Sequence, residues 1–216
     1  MKEILKRFCR PMEMYCLLLA YFFSNLFENN FNTENILDTP IKDLLINTKI
    51  ILHNLFNYQG LIGTYFLIIQ LTIVVWIILG KKARLATDLI AIYLTICWFL
   101  ELICMNLLLV SPISNPLFML IELVLFIPII LIGFTWGYWR LNHSNRIGMG
   151  EAAITFDKPP TYISYFIKTA CVAVNDTTEH GVCQNNSAKL LRIANGFVVM
   201  DVFGLTLSRA IGLVVS

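Results

Sequence analysis

The sequence predicts an all-α fold, a polytopic transmembrane helical bundle with four or five spans and one short re-entrant or surface helix. Two observations predict it. Of 216 residues, 57% are hydrophobic and only 14% are charged, against roughly 25% charged in a soluble domain. The apolar residues also fall into long blocks, and crossing the hydrocarbon takes about 20 residues. The length suits a single membrane domain covering 1–216.

The chain opens on a basic arm, Lys2, Lys6, Arg7 and Arg10, with one acid, Glu3. An uncharged run follows from Met14 to Phe27. A basic head and an apolar run outline a signal peptide. The large aromatics near the end of the run, with no A-x-A-like site after it, favour a retained helix over 11–27. Pro11 is well placed at its start, where the first turn needs no N–H partner. Residues 28–40 read as a polar loop closed by Pro40.

Over 41–56, Ile41, Leu44, Leu45, Leu52, Leu55 and Phe56 recur at helical spacing, with Lys42, Asp43, Lys49 and His53 tending to the other side. This pattern predicts an amphipathic helix, lying either on the membrane surface or against the outside of the bundle. Residues 61–80 are the clearest span, an uncharged run ended by Lys81, Lys82 and Arg84. Residues 89–110 form the next span, interrupted by Glu101, and Pro112 and Pro116 mark a turn after it. Residues 117–139 form a further span, with Glu122 in its early turns, Pro128 inside it, and Trp136, Tyr138 and Trp139 as an aromatic belt at its end. The polar stretch 140–190 contains a short apolar helix, Tyr162 to Val174, that is re-entrant or superficial. The last span, 191–215, carries Asp201, Arg209 and three glycines, Gly196, Gly204 and Gly212, near one face.

Topology signals conflict. Basic residues prefer the cytoplasmic side. The basic arm and the Lys81–Lys82–Arg84 cluster then place the N-terminus and residues 140–190 inside. Three glycosylation patterns, Asn142-His143-Ser144, Asn175-Asp176-Thr177 and Asn185-Asn186-Ser187, place 140–190 outside. Cys171 and Cys183 flank a polar turn and form a disulfide if that segment meets an oxidising compartment.

Glu101 and Asp201 lie near the middle of their spans. A bare carboxylate at that depth is costly, so each faces the bundle interior, water or a partner. Two readings follow, an ion or proton path and a hydrogen-bonded acid that orients helices. Glu122 reads as a capping or hydrogen-bonding acid near an interface, and Arg209 as a snorkelling cation. The three histidines, His53, His143 and His180, show no metal spacing, and no HExxH or glycine-rich phosphate loop is present. An enzyme is therefore the less favoured class, and no cofactor is specified.

From 117 to 215 the order is span, polar stretch, short aromatic helix (Tyr162 to Val174), polar turn and glycine-containing span. The turn holds Asp176, Thr177, Thr178, Glu179 and His180. Ser187, Ala188 and Lys189 then lead into the span with Gly196 and Gly204. This order resembles the two-helix pore domain of small prokaryotic potassium channels. The resemblance implies a pore mouth at 176–180. The family's TVGYG filter, whose carbonyls line the pore, is absent here, and Gly181 is the only glycine nearby. Potassium selectivity is accordingly not implied. The expected function is an integral membrane cation channel or channel-like pore, with Glu101, Asp201, Asp176, Thr177, Thr178 and Glu179 as its candidate ion path. The alternative is a non-catalytic accessory subunit of a membrane complex. Expected partners are the lipid bilayer and either other membrane subunits or further copies of the chain, with no nucleic acid.

Overall fold

The computed structural model describes residues 8, 10–31, 36–37, 40–57, 60–111, 116–147, 152–174 and 180–215. The elements are α1 (Met12–Asn30), α2 (Pro40–Phe56), α3 (Leu61–Ile78), α4 (Arg84–Val110), α5 (Pro116–Ile147), β1 (Ile154–Thr155), α6 (Tyr162–Ala173), β2 (Val182–Cys183) and α7 (Asn186–Val215). Among the described residues the regular structure is helical apart from two short antiparallel strands, which pair Ile154 with Cys183 and Thr155 with Val182. It forms two compact units, Met1–Ile129 and Ile130–Ser216.

Among the described residues, three helices are long and apolar enough to cross a membrane, within Leu61–Ile78, Arg84–Leu108 and Ile121–His143. Their side chains are arranged inside-out. On α3, Tyr65 is 63% exposed, and Ile62, Ile69, Val75 and Trp76 also face outward, while Gln70 is 0% exposed. Such a helix turns apolar side chains outward and its amide inward, the reverse of a water-soluble one. Four threonine hydroxyls are satisfied within their own helices. Thr72, Thr87, Thr95 and Thr135 each donate to the carbonyl four residues earlier, at 2.6–3.0 Å. An outward-facing threonine then presents no unmet donor to lipid. The chain is a membrane protein.

In the first unit, α1 to α4 pack on one another. Tyr21 Oη of α1 donates to the Gly63 carbonyl of α3 at 3.2 Å, and Tyr93 Oη of α4 donates to the Leu55 carbonyl of α2 at 2.7 Å. The start of α5 joins through Phe126 on Phe27 and Phe118 on Phe31, with ring centres 5.6 and 5.9 Å apart. Helix α2 packs against the bundle, burying Leu45, Thr48 and Leu52 and leaving Leu44, Ile50 and Ile51 exposed. Arg10 reaches Gly80 at the end of α3, just before Lys81, Lys82 and Arg84 in the chain.

Several boundaries differ from the sequence reading. Pro40 and Pro116 open helices instead of closing loops, as expected where a first-turn N–H needs no partner. Helix α4 starts at Arg84, ahead of the expected 89, and α5 runs on through Ile147 into the expected loop. Helix α7 starts at Asn186, where the Asn185 side chain accepts from the Ala188 N–H at 2.8 Å and caps it.

Cysteines placed singly at Tyr65, Ile69 and Trp76, with the native cysteines replaced, are expected to resist a water-soluble maleimide in intact membranes. A cysteine at Lys81 should label readily. Equal labelling at all four positions would remove α3 from the membrane.

Candidate functional site

Helices α1, α2, α4 and α5 bring a line of polar side chains into the first unit. On α1, Ser24 and Glu28 are four residues apart and share a face. Both are buried. Ser24 Oγ donates to Glu101 Oε2 of α4 at 3.3 Å. Glu28 Oε1 lies 2.5 Å from His53 Nδ1 of α2, and His53 Nε2 lies 2.9 Å from Asn57 Nδ2. Lys49, one turn before His53, donates to the Phe31 carbonyl.

Cys104, one turn after Glu101, stands within electrostatic range of Glu101, Glu122 and Lys49. Glu122 of α5 is buried, and neither of its carboxylate oxygens has a hydrogen-bond partner. Glu101 Oε1 and Glu28 Oε2 likewise have none. Glu122 thus belongs to the bundle interior, a correction to its expected place as an interfacial cap. Its register on α5, one turn before Phe126, turns it toward α1 along with that ring. Among the described residues no group of three or more His, Cys, Asp or Glu side chains is disposed to hold a metal ion.

The second unit is built around α6 and the two strands. Thr161 at the start of α6 donates its N–H to Ser164 Oγ at 3.1 Å, fixing the helix start. Helix α6 is also inside-out. Lys168 is 5% exposed and Thr169 is buried, whereas Ile163 is 63% exposed beside Phe166 and Ile167. Lys168 donates to the Gly181 carbonyl and lies 5.7 Å from the centre of the Tyr138 ring. Thr135 Oγ1 lies 3.2 Å from Thr169 Oγ1, and Asn195 Nδ2 of α7 reaches the Thr169 carbonyl at 3.4 Å. Asn142 Nδ2 donates to Tyr165 Oη at 2.7 Å, and the Ile154 N–H donates to Asn142 Oδ1 at 3.2 Å. Tyr138, Ala153, Ile154, Tyr165, Cys183 and Ala188 form the apolar core around this network.

Of the expected ion-path residues, Glu101 falls in the first unit and Asp201, half-buried in the middle of α7, in the second. Asp176, Thr177, Thr178 and Glu179 lie outside the described residues. Gly181 has φ +79° and its carbonyl holds Lys168, so its visible role is in the turn into β2. Cys171 on α6 and Cys183 on β2 are both thiols in this structure, with Cys183 buried in the apolar core. The side chain of Asn142 is buried and committed on both its atoms, so that sequon does not argue for an exterior loop.

Ser24, Glu28, Lys49 and His53 were not singled out as site residues from the sequence. Their signal was present in the spacing of Ser24 and Glu28 and of Lys49 and His53, each four apart. Which neighbour those faces meet depends on tertiary packing.

No family model, curated protein or solved structure matches the chain.

Proposed function

We propose that this membrane protein is a non-standard cation channel or channel-like pore, assembled from several copies of the chain. The supporting observation is α6. Its twelve residues reach about 18 Å, too short to cross hydrocarbon about 30 Å thick. It turns polar groups inward and apolar groups outward between the longer helices α5 and α7. That order agrees with the resemblance to two-helix pore domains, and α7 then serves as a fourth span, with α1 as a fifth. Residues 176–179 would lie at the pore mouth, where Asp176, Thr177, Thr178 and Glu179 offer hard oxygen ligands of the kind small cations accept. Asp201 would line the path, since acidic groups attract cations and repel anions. Gly196 and Gly204 meet nothing within 4 Å of an added Cβ. They leave room on α7 for a neighbouring helix from another copy.

Purified protein in liposomes should pass potassium or sodium above the level of empty vesicles, and Asp201→Asn should reduce or reshape that flux. Glu101→Gln tests whether the first unit contributes to the same path. The alternative is an accessory subunit of a larger membrane complex, which the exposed apolar residues Phe197, Met200 and Phe203 of α7 also suit. Absent flux at several voltages, from folded protein that co-purifies with a stoichiometric partner, would replace the pore reading with that one.

A further inference from the structure

The second unit carries an open groove of about 470 Å³ between the end of α5 and the start of α7. Its walls include Trp136, Gly137 and Arg140 from α5 and Ser187, Leu191 and Ala194 from α7. The sequence explains the shape. Gly137 has no side chain, and Leu191 packs so closely on it that an added Cβ would stand 3.1 Å from Leu191 Cδ2. Ser187 lies one turn before Leu191 and Ala194 one turn after it, on the same face of α7. Both are small and exposed, so the α7 wall is low on either side of Leu191. From Ser187 to Ala194 is about 10 Å along the helix, roughly two thirds of the ~15 Å hydrocarbon depth of one leaflet.

The two walls run in opposite directions. Gly137 meets Leu191, and Thr135 and Asn195 both reach Thr169. Ala194 therefore lies at the deeper end of the groove, and Arg140 and Ser187 lie together at the other. The α5 wall falls in the last turns of the span Ile121–His143, so the groove opens where hydrocarbon gives way to headgroups. Trp136 suits that level, since an indole is apolar in body and polar at its tip.

Arg140 is the one charged residue of the lining, and no acid lines the groove. A guanidinium at the edge of the hydrocarbon calls for an anionic partner or a path to water. Arg140 also interacts within the protein; a guanidinium has five N–H donors and can serve two partners. An apolar slot running into the bilayer, with a cation and a hydroxyl at its headgroup end, matches one molecule that the bilayer itself supplies.

We propose that the groove is a binding site for one anionic phospholipid, its phosphate on Arg140 and Ser187 and one acyl chain laid along Gly137, Leu191 and Ala194 toward the membrane centre. Gly137 and Leu191 give the chain its floor, and Arg140 selects a net anionic headgroup over a zwitterionic one. The site lies wholly in the second unit and does not depend on the pore reading. Its readout is bound lipid instead of ion flux.

The test is native mass spectrometry of the full-length protein in detergent, with phosphatidylglycerol and phosphatidylcholine added at equal concentration. The wild type should retain one phosphatidylglycerol per chain in preference to phosphatidylcholine. Arg140→Gln should weaken phosphatidylglycerol binding roughly fivefold or more and abolish the preference. Lys189→Gln, which removes an exposed cation outside the groove, should leave both unchanged. Ala194→Phe fills the exposed wall without touching the charge and should weaken both lipids. Circular dichroism checks that each variant is folded. Equal retention of the two lipids by the wild type overturns the proposal, as do equal losses in Arg140→Gln and Lys189→Gln or binding unaltered by Ala194→Phe. Glycerol phosphate that displaces the lipid as well as phosphatidylglycerol does would also overturn it, by assigning Arg140 to a free anion. So would a lipid-free dimer that Ala194→Phe breaks, by assigning the groove to a second copy of the chain.

Discussion

Gly181→Ala is expected to destabilise the second unit by roughly 2–4 kcal/mol, the sum of a left-handed backbone penalty and an overpacking penalty. The two parts have separate physical origins. At φ +79° an L side chain is strained wherever it points. An added Cβ would also stand 2.6 Å from Phe156 Cε1 and 3.0 Å from Ile154 Cγ2. Phe156 has little room to retreat, because its ring packs edge-on against Tyr165 with centres 5.1 Å apart. The carbonyl of Gly181 also holds the Lys168 ammonium, so displacement of the turn would leave a nearly buried cation with one partner fewer. Thermal unfolding in detergent, followed by near-ultraviolet circular dichroism, measures the loss. A variant as stable as the wild type would mean that the turn relaxes freely and that Gly181 is not a structural glycine.

The membrane character of the chain was legible in its sequence because bilayer burial requires uncharged length, and the runs at 61–80, 89–110 and 117–139 have it. Each coincides with an apolar helix of sufficient length. The helix ends were less legible. Residues 28–30 and 140–147 read as loop and instead continue α1 and α5. Both errors have one cause. Polar residues look alike in sequence whether they cap, bury or face water, and only the neighbours decide. Lys168 shows this most plainly. In a short apolar helix a lysine would be taken for the solvent side, yet the helix turns its apolar residues outward and encloses the lysine. Of the candidate site, Glu101 was legible because a carboxylate inside an apolar run has few explanations. Glu28, Lys49 and His53 lie in segments that read as polar loop and amphipathic helix, so their partnership rests on α1 and α2 packing together, which no local pattern reveals.

Asn142→Ala is the second substitution of large expected effect, at roughly 2–6 kcal/mol, because it takes a partner from two buried groups at about 1–3 kcal/mol each. The Ile154 N–H would lose its acceptor and Tyr165 Oη its donor. Ile154 sits in the core of the unit, so its N–H is shielded from water. A double-mutant cycle separates the two losses. In Tyr165→Phe the phenol is gone, so adding Asn142→Ala should then cost less than in the wild type by about 1 kcal/mol, the net worth of one hydrogen bond. Strict additivity would show that the 2.7 Å contact carries no energy. The same commitment of both side-chain atoms has a consequence for topology. Glycosylation attaches to the amide nitrogen that here donates to Tyr165, so expression in a glycosylating host should leave Asn142 unmodified whichever side of the membrane the end of α5 faces. A glycan at Asn142 on folded protein would require α5 to end before that residue and would reopen the packing of α6 and the two strands against it.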